Sequence, residues 1–155
     1  MSWHTKTFDE LTANELYSIL QIRNAVFIVE QNCPYQDLDN KDQSAFHLFY
    51  VKDNAMLAYC RILPAGASYK EISIGRVLNV KSARNQGLGK VMMEKAIQFV
   101  KEKWPKQNIR ISAQKYLEAF YGSLGFKSQG ADYLEDNIPH VEMLLDLEFN
   151  INSIK

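Results

Sequence analysis

Apolar positions at the start of the chain predict one helix followed by an irregular segment. Thr12 and Glu15 have the spacing of a capping box, in which each side chain satisfies a free amide at a helix start. Apolar residues follow at helical spacing as far as Phe27, and Arg23 is the one charge on that stripe. The segment 32–44 contains a proline and several Asp and Asn residues, which indicates a loop or a short irregular helix.

The middle of the chain predicts three strands and then a long helix. Alternating or continuous apolar residues place the strands at 46–50, 56–63 and 72–80, and Asp53-Asn54 forms a turn between the first two. From Leu88 to Trp104 an apolar residue recurs every four positions, as one face of a helix requires, and Pro105 ends it.

The last third of the chain predicts shorter elements. They are a strand at 109–113, a helix at 116–124 ended by Gly125, a strand from Phe126 and a last strand at 141–147. A hairpin run followed by strand–helix–strand crossovers predicts an α/β fold with a mixed, mostly antiparallel central sheet flanked by helices.

Composition narrows the class of protein. The 155 residues are 46% hydrophobic and 23% charged, which predicts a single domain over 1–150 with a short tail at 151–155. The formal net charge of zero argues against a nucleic-acid partner, and no apolar run is long enough for a membrane span. No signal peptide is recognisable, so we expect a cytoplasmic protein, and two cysteines without a CxxC pair indicate no metal site.

The zero net charge conceals a strong segregation along the chain. Residues 81–115 hold nine Lys and Arg against two acids, whereas residues 1–42 hold seven acids against three bases. Residues 131–150 hold six acids and no Lys or Arg. Any interpretation of function has to explain this segregation of charge.

Two glycines follow the third predicted strand and open the long helix. Glycine lets backbone amides approach a ligand closely, and a helix start supplies free N–H donors and a positive dipole end, so Gly87 and Gly89 predict a phosphate site. The spacing excludes a P-loop, since Arg84 and Val91 stand where Gly and Ser or Thr are needed. Met92 likewise stands where the dinucleotide fingerprint needs its third glycine.

The pattern that remains, Arg84-x-x-Gly87-x-Gly89, resembles the coenzyme A loop of the GNAT acetyltransferases. Tyr121-Gly-Ser-Leu-Gly-Phe126 resembles the Tyr-x-x-x-Gly-Phe motif of the same superfamily, at a suitable distance downstream. Val-Glu-Gln-Asn-Cys-Pro-Tyr at 29–35 and Glu-Asp-Asn-Ile-Pro-His at 135–140 are similar to the ElaA-like branch of that superfamily.

This resemblance implies an N-acetyltransferase that moves an acetyl group from acetyl-CoA to a primary amine of a small molecule or peptide. It implies that the strand before the loop splays from its neighbour and that Tyr121 protonates the departing thiolate. The implied coenzyme-binding residues are Leu78, Asn79, Val80, Arg84, Asn85, Gln86, Gly87, Leu88, Gly89 and Lys90. It is compatible with a homodimer. It also implies that the basic stretch 81–115 meets the phosphates of the coenzyme and that the acidic segments shape the acceptor side. The alternative is a non-catalytic domain that binds or senses acyl-CoA.

Several side chains keep more than one interpretation. The base that receives the amine proton is left open among Glu30, Asp37, Asp39, Glu135 and His140. Cys33 with His47 or His140 has the residue types of a hydrolase pair, although a structural thiol is the commoner role of a lone cysteine. Arg76 fits either a buried ion pair or a substrate contact.

Overall fold

The computed structural model describes residues 2–147, and the predicted tail at 151–155 lies outside them. The main elements are β1 (Ser2–Thr7), α1 (Ala13–Arg23), β2 (Phe46–Lys52), β3 (Ala55–Leu63), β4 (Ser73–Asn79), α2 (Leu88–Lys103), β5 (Ile109–Gln114), α3 (Glu118–Ser123), β6 (Lys127–Glu135) and β7 (Ile138–Leu145). This is the expected α/β class with mostly antiparallel strands. The single-domain assignment stays a prediction.

Strand β1 was not predicted, and it pairs antiparallel with β2 at the edge of a sheet. Its sequence gives little signal because an edge strand is only half covered and needs few apolar residues. Trp3 supplies the main apolar contact, with its ring centroid 4.8 Å from that of Tyr50.

The strands form two sheets that meet at one point. Their orders are β1-β2-β3-β4 and β5-β7-β6, and every pairing within them is antiparallel. Between β4 and β5, the described residues show a single parallel bridge, Ile72 with Ile109, supported by bonds to and from the Ile72 backbone of 3.2 and 2.8 Å. Beyond that bridge the two strands separate, so the splay that the resemblance implied is present.

The two long helices lie on opposite faces of the first sheet. Met92, Met93 and Val100 of α2 are fully buried in the larger core, which also takes apolar residues from β3, β4, β5 and β7. On the other face, Ile19 of α1 packs with Phe49 of β2 and Leu78 of β4. Sequence alternation fixes these faces, since successive strand side chains point in opposite directions.

Two elements differ most from the predicted bounds, and the others differ by one or two residues at an end. The first helix is α-helical only to Arg23, and Asn24–Glu30 continues as a π-helical turn, a wider geometry often found at functional sites. The last strand begins at Ile138, three residues earlier than predicted, because β6 and β7 close a tight hairpin with Asp136 and Asn137 at positive φ.

A buried network of three arginines and three aspartates holds the 32–44 segment against the first sheet. Arg23 is fully buried and bonds Asp37 at 2.9 Å and Asp42 at 2.7 Å. Arg61 of β3 bonds Asp39 and Asp42, and Arg76 of β4 bonds Asp37 at 2.7 Å. The network is neutral in total, so each buried charge has a partner.

The network corrects one expectation from the charge pattern. Three of the seven acids in residues 1–42 belong to it, so they are neutralised by arginines and not free for a cationic ligand. Burial alone would raise the pKa of Asp39, but its bonds to Arg61 hold that pKa well below its usual range. Arg76 forms an ion pair with Asp37, but its side chain is 23% exposed, so the substrate contact predicted as its alternative role stays open as well.

We predict that Arg23→Met lowers the free energy of unfolding by about 3–5 kcal/mol, because it leaves buried carboxylates without their cation. Urea unfolding at neutral pH measures the change. Lys115→Met is the control, since Lys115 pairs with Glu118 at the exposed surface and its loss should matter little.

The loss of unfolding free energy in Arg23→Met should also depend on pH. The pKa values of Asp39 and Asp42 are lowered in the folded state, so the network stabilises fully above about pH 4 and the difference shrinks as the pH falls below that. A loss below about 1 kcal/mol at neutral pH would show that the network is not structurally important.

Candidate active site

A cleft of about 1070 Å³ opens where β4 and β5 separate. It is lined by the end of β4, the loop before α2, the start of α3, and the hairpin between β6 and β7. Of the sequence-predicted residues, those that line it are Leu78, Asn79, Arg84, Asn85, Gly87, Gly89, Lys90 and Tyr121. Val80, Gln86 and Leu88 do not line it, and the exposed Gln86 side chain bonds the Ser82 carbonyl at 3.3 Å.

The start of α2 faces one side of this cleft. Gly87 is the N-cap and has a φ of 76°, a left-handed conformation that a side chain with a Cβ adopts only at a cost. The amides of the first helical turn have no partner within the helix, so they and the helix dipole favour an anion here. A Cβ at Gly89 would contact the side chains of Asn79 and Phe120 at 3.5 and 3.7 Å, which leaves little room for a larger residue.

Arg84 is already paired in this structure. Its guanidinium makes a two-pronged ion pair with Glu30 at the end of the π-helical turn, and its Nε donates to the Asn79 carbonyl at 3.2 Å. The bonds to Arg84 lower the pKa of Glu30, so this carboxylate stays ionised. The pair lies across the edge of the cleft, and an anionic ligand would compete with Glu30 for Arg84.

Three residues at the end of β4, Leu78, Asn79 and Val80, are predicted to bind the coenzyme, and one of them turns its backbone amide toward the cleft. The Val80 amide donates to the Leu57 carbonyl at 2.9 Å, so this pair belongs to the ladder with β3. Antiparallel pairs alternate between bonded and non-bonded, which places the Leu78 amide in the same ladder and turns the Asn79 amide away from it. Of these three residues, only Asn79 therefore directs its backbone N–H toward the gap between β4 and β5.

A β-bulge earlier in β4 was not predicted from the sequence. Arg76 and Val77 lie opposite the single residue Cys60, and Arg76 has a φ of 50°. A bulge leaves a residue outside the ladder and bends its strand. The bonds from the Arg76 side chain to Asp37 offset the strain at this position.

Tyr121 lies in α3 with 5% of its surface exposed, between the rings of Phe120 and Phe126. Its hydroxyl has no hydrogen-bond partner among residues 2–147, and its side chain lines the cleft. Burial, with a smaller effect of the neighbouring Cys60, raises the pKa of Tyr121. The phenol is therefore protonated at neutral pH and has a hydrogen to donate to a ligand.

The wall opposite α2 is polar and comes mainly from β5, β6 and β7. Ser112 and Gln114 point away from the core that holds Ile111 and Ala113. His140 lies opposite Gln114 in the register, and Ser112 bonds the Tyr133 hydroxyl. Ser112 and Gln114 were not predicted as site residues, because the sequence does not distinguish a polar strand residue that lines a cleft from one that faces solvent.

Cys33 does not form a hydrolase pair. Its thiol donates to the Asp136 carbonyl at 3.3 Å and is 7% exposed. His47 is fully buried and is bonded to Tyr59 and to the Asp42 carbonyl. Neither His47 nor His140 hydrogen-bonds Cys33, so no base activates the thiol and a structural role fits better.

The described residues contain neither a metal cluster nor a membrane-spanning helix. Residues 2–147 contain no cluster of three or more His, Cys, Asp or Glu side chains arranged to hold a metal ion. Among the same residues, no helix is both long and apolar enough to cross a membrane.

Comparison with known proteins places this architecture in a family. The model of the acetyltransferase (GNAT) domain matches residues 10–147. Protein ElaA of Escherichia coli K12 is 37% identical over 145 residues, which cover 92% of this chain and 95% of that protein. The chain therefore belongs to the GNAT family and is an ElaA-like member of it.

Solved structures agree with this assignment. An acyl-CoA N-acyltransferase from Pseudomonas aeruginosa has a TM-score of 0.89 at 42% identity, covering 93% of this chain and 98% of that one. The crystal structure of Escherichia coli ElaA also has a TM-score of 0.89, at 37% identity, covering 94% of this chain and 100% of that one. The fold is thus that of the acyl-CoA N-acyltransferases.

Proposed function

We propose that this protein transfers an acetyl group from acetyl-CoA to a primary amine. The observation that carries the proposal is the meeting of three features in one cleft: the glycine-capped start of α2, the outward amide of Asn79 and the unbonded hydroxyl of Tyr121. In the proposed reaction, the start of α2 would bind the coenzyme phosphates and the Asn79 amide would bind the thioester carbonyl. The Tyr121 hydroxyl would act on the leaving sulfur.

The donor would lie along β4 with its pyrophosphate at the loop. The amides from Asn85 to Lys90 and the dipole of α2 would bind the phosphates, and the positive charges of the 81–115 stretch match that ligand. The Asn79 amide would then donate to the thioester oxygen as negative charge develops on it, a contribution usually worth about 3–4 kcal/mol. Holding amine and thioester together supplies much of the remaining acceleration.

Tyr121 would act on the leaving group. A thiol ordinarily titrates near pH 8.5, below a phenol, so full proton transfer from a tyrosine with a raised pKa is costly. Its main contribution is then a hydrogen bond to the sulfur that strengthens as the C–S bond breaks. Water restores any proton that the sulfur takes.

We predict that Tyr121→Phe lowers kcat by about 10²–10³-fold, because it removes the donor hydroxyl and keeps the aromatic packing against Phe120 and Phe126. Thiol release from acetyl-CoA with a panel of primary amines measures the change. The dissociation constant for coenzyme A should stay the same, and Tyr17→Phe, at an exposed position on α1, should have full activity.

Two results of this assay would contradict the proposal. Full activity of Tyr121→Phe would remove the leaving-group role of Tyr121. Tight coenzyme binding without turnover of any amine by the unsubstituted protein would favour a non-catalytic domain that binds acyl-CoA.

We predict that Gly87→Val weakens coenzyme A binding by about fivefold to thirtyfold. A β-branched residue at this positive φ costs about 1–2 kcal/mol, which the loop relieves by moving the amides that bind phosphate. Titration calorimetry measures the affinity. Gly87→Asn is the matched control, because Asn tolerates the left-handed conformation, and equal affinity of both variants and the parent protein would refute the phosphate loop.

We predict that Glu30→Gln tightens coenzyme A binding by roughly twofold to fivefold. The substitution frees Arg84 for the phosphates and removes a negative charge beside them, an effect of about 1 kcal/mol at most for an exposed pair. The gain should shrink at high salt, which screens exposed charges. Glu102→Gln, at the far end of α2, should change nothing, and weaker binding by Glu30→Gln would contradict the competition between Glu30 and the coenzyme.

A further inference from the structure

His140 occupies a defined position in the wall of the cleft opposite α2. It is 6% exposed, it lines the cleft, and its Nδ1 lies 2.6 Å from the Ile138 carbonyl oxygen. A carbonyl can only accept, so Nδ1 carries the hydrogen and Nε2 is the nitrogen with the free lone pair in the neutral ring. Nε2 lies 3.4 Å from the carboxylate of Glu135, which also lines the cleft.

The ring of His140 is held in place from both neighbouring strands. Tyr133 of β6 stacks on it with a centroid distance of 6.1 Å and an interplanar angle of 24°. Ser112 of β5 fixes Tyr133 in turn through a bond between their hydroxyls. A side chain whose rotamer is locked in this way can present one nitrogen to a ligand at a constant position.

The other carboxylates considered for the base are already bound to arginines. Glu30 pairs with Arg84, and the bonds to Arg84 lower its pKa. Asp37 accepts from Arg23 and Arg76. Asp39 accepts two bonds from Arg61. An ionised carboxylate held by a guanidinium is a weak proton acceptor, so these three groups are poorly suited to deprotonate an amine.

One carboxylate, that of Glu135, contacts the His140 ring. From β6 it faces Glu135 and the neutral Tyr133, and from β5 it lies opposite the neutral Gln114. Glu142, two residues along the same face of β7, is engaged by Arg110 at 3.3 Å. The nearby Cys33 thiol donates to the Asp136 carbonyl. Glu135 is thus the ionisable partner at the ring, and it would stabilise an imidazolium.

We propose that His140 is the catalytic base that removes the proton from the ammonium of the acceptor, with Glu135 as the positioning residue that stabilises the imidazolium. The assignment rests on the proposed function. It implies that the acceptor amine enters as a cation, since only a protonated amine needs a base before attack. The half-exposed Glu135 side chain leads from His140 to solvent.

The protons and electron pairs balance in this scheme. The ammonium gives one proton to Nε2 of His140, and its freed electron pair forms the C–N bond at the thioester carbon. When the tetrahedral intermediate collapses, the C–S bond breaks and its electron pair leaves on sulfur. The second amine proton passes to that sulfur through Tyr121 or water, and the imidazolium releases its proton to solvent past Glu135.

The test compares His140→Gln and Glu135→Gln with Glu142→Gln as the matched control on the same face of β7. Glutamine at 140 can still donate to the Ile138 carbonyl but does not accept a proton at neutral pH. We expect His140→Gln to lower kcat/KM by about 10²–10⁴-fold with unchanged coenzyme A affinity. Its pH profile should lose the acid limb, which an imidazole base produces between about pH 5 and 8.

The Glu135 variant separates catalysis from structure. Removing the carboxylate disfavours the imidazolium, so Glu135→Gln should move the acid limb to lower pH and reduce kcat/KM less than His140→Gln does. A purely structural role for the pair would lower thermal stability and leave the profile in place. Glu142→Gln should keep the profile of the parent protein.

The outcomes distinguish this proposal from the function on which it rests. If the parent protein turns over an amine and His140→Gln keeps both kcat/KM and the acid limb, His140 is not the base and the acetyltransferase proposal stands. If the parent protein binds coenzyme A but acetylates no amine, both proposals fail. If His140→Gln does not fold, an acid limb that Glu135→Gln leaves unmoved overturns the assignment by itself.

Discussion

The separation of β4 from β5 is the constraint on which the rest of the structure depends. The described residues join these strands only at Ile72 and Ile109, and past that bridge the backbone groups facing the gap lack a ladder partner. Helix α2 follows the end of β4 and α3 follows the end of β5, so both helices begin beside this gap. A chain that closed this gap with a continuous ladder would have no cleft and no place for an acyl donor.

Electrostatics divide the cleft into two unlike walls. The wall at α2 combines helix dipole, free amides and basic residues, which suits an anion. On the other wall, Glu135 lies beside His140. The neutral network of Arg23, Arg61, Arg76 and their aspartates holds the 32–44 segment against the first sheet without leaving net charge. Part of the acidic charge in the sequence is therefore neutralised by arginines. The charge that remains lies on separate walls of the cleft.

The strongly periodic elements could be predicted, and the irregular ones could not. Helix α2 has apolar residues at every fourth position, and its start at Gly87 follows from a residue that tolerates positive φ. The π-helical turn at Asn24–Glu30 and the bulge at Arg76 are accompanied by tertiary contacts, namely the ion pair of Glu30 with Arg84 and the bonds of Arg76 to Asp37. No local pattern encodes a partner that is 39 or 54 residues away.

The sequence by itself determined the order of the later elements, the glycine-capped helix start and the tyrosine that follows it, because these depend on local periodicity and on backbone freedom. Only the tertiary structure decided which acidic residues are free. Glu30, Asp37 and Asp39 are equivalent to Glu135 in the sequence, yet three are paired with arginines and the fourth faces a histidine. The physical reason is that the proton affinity of a carboxylate is set by its neighbours in space.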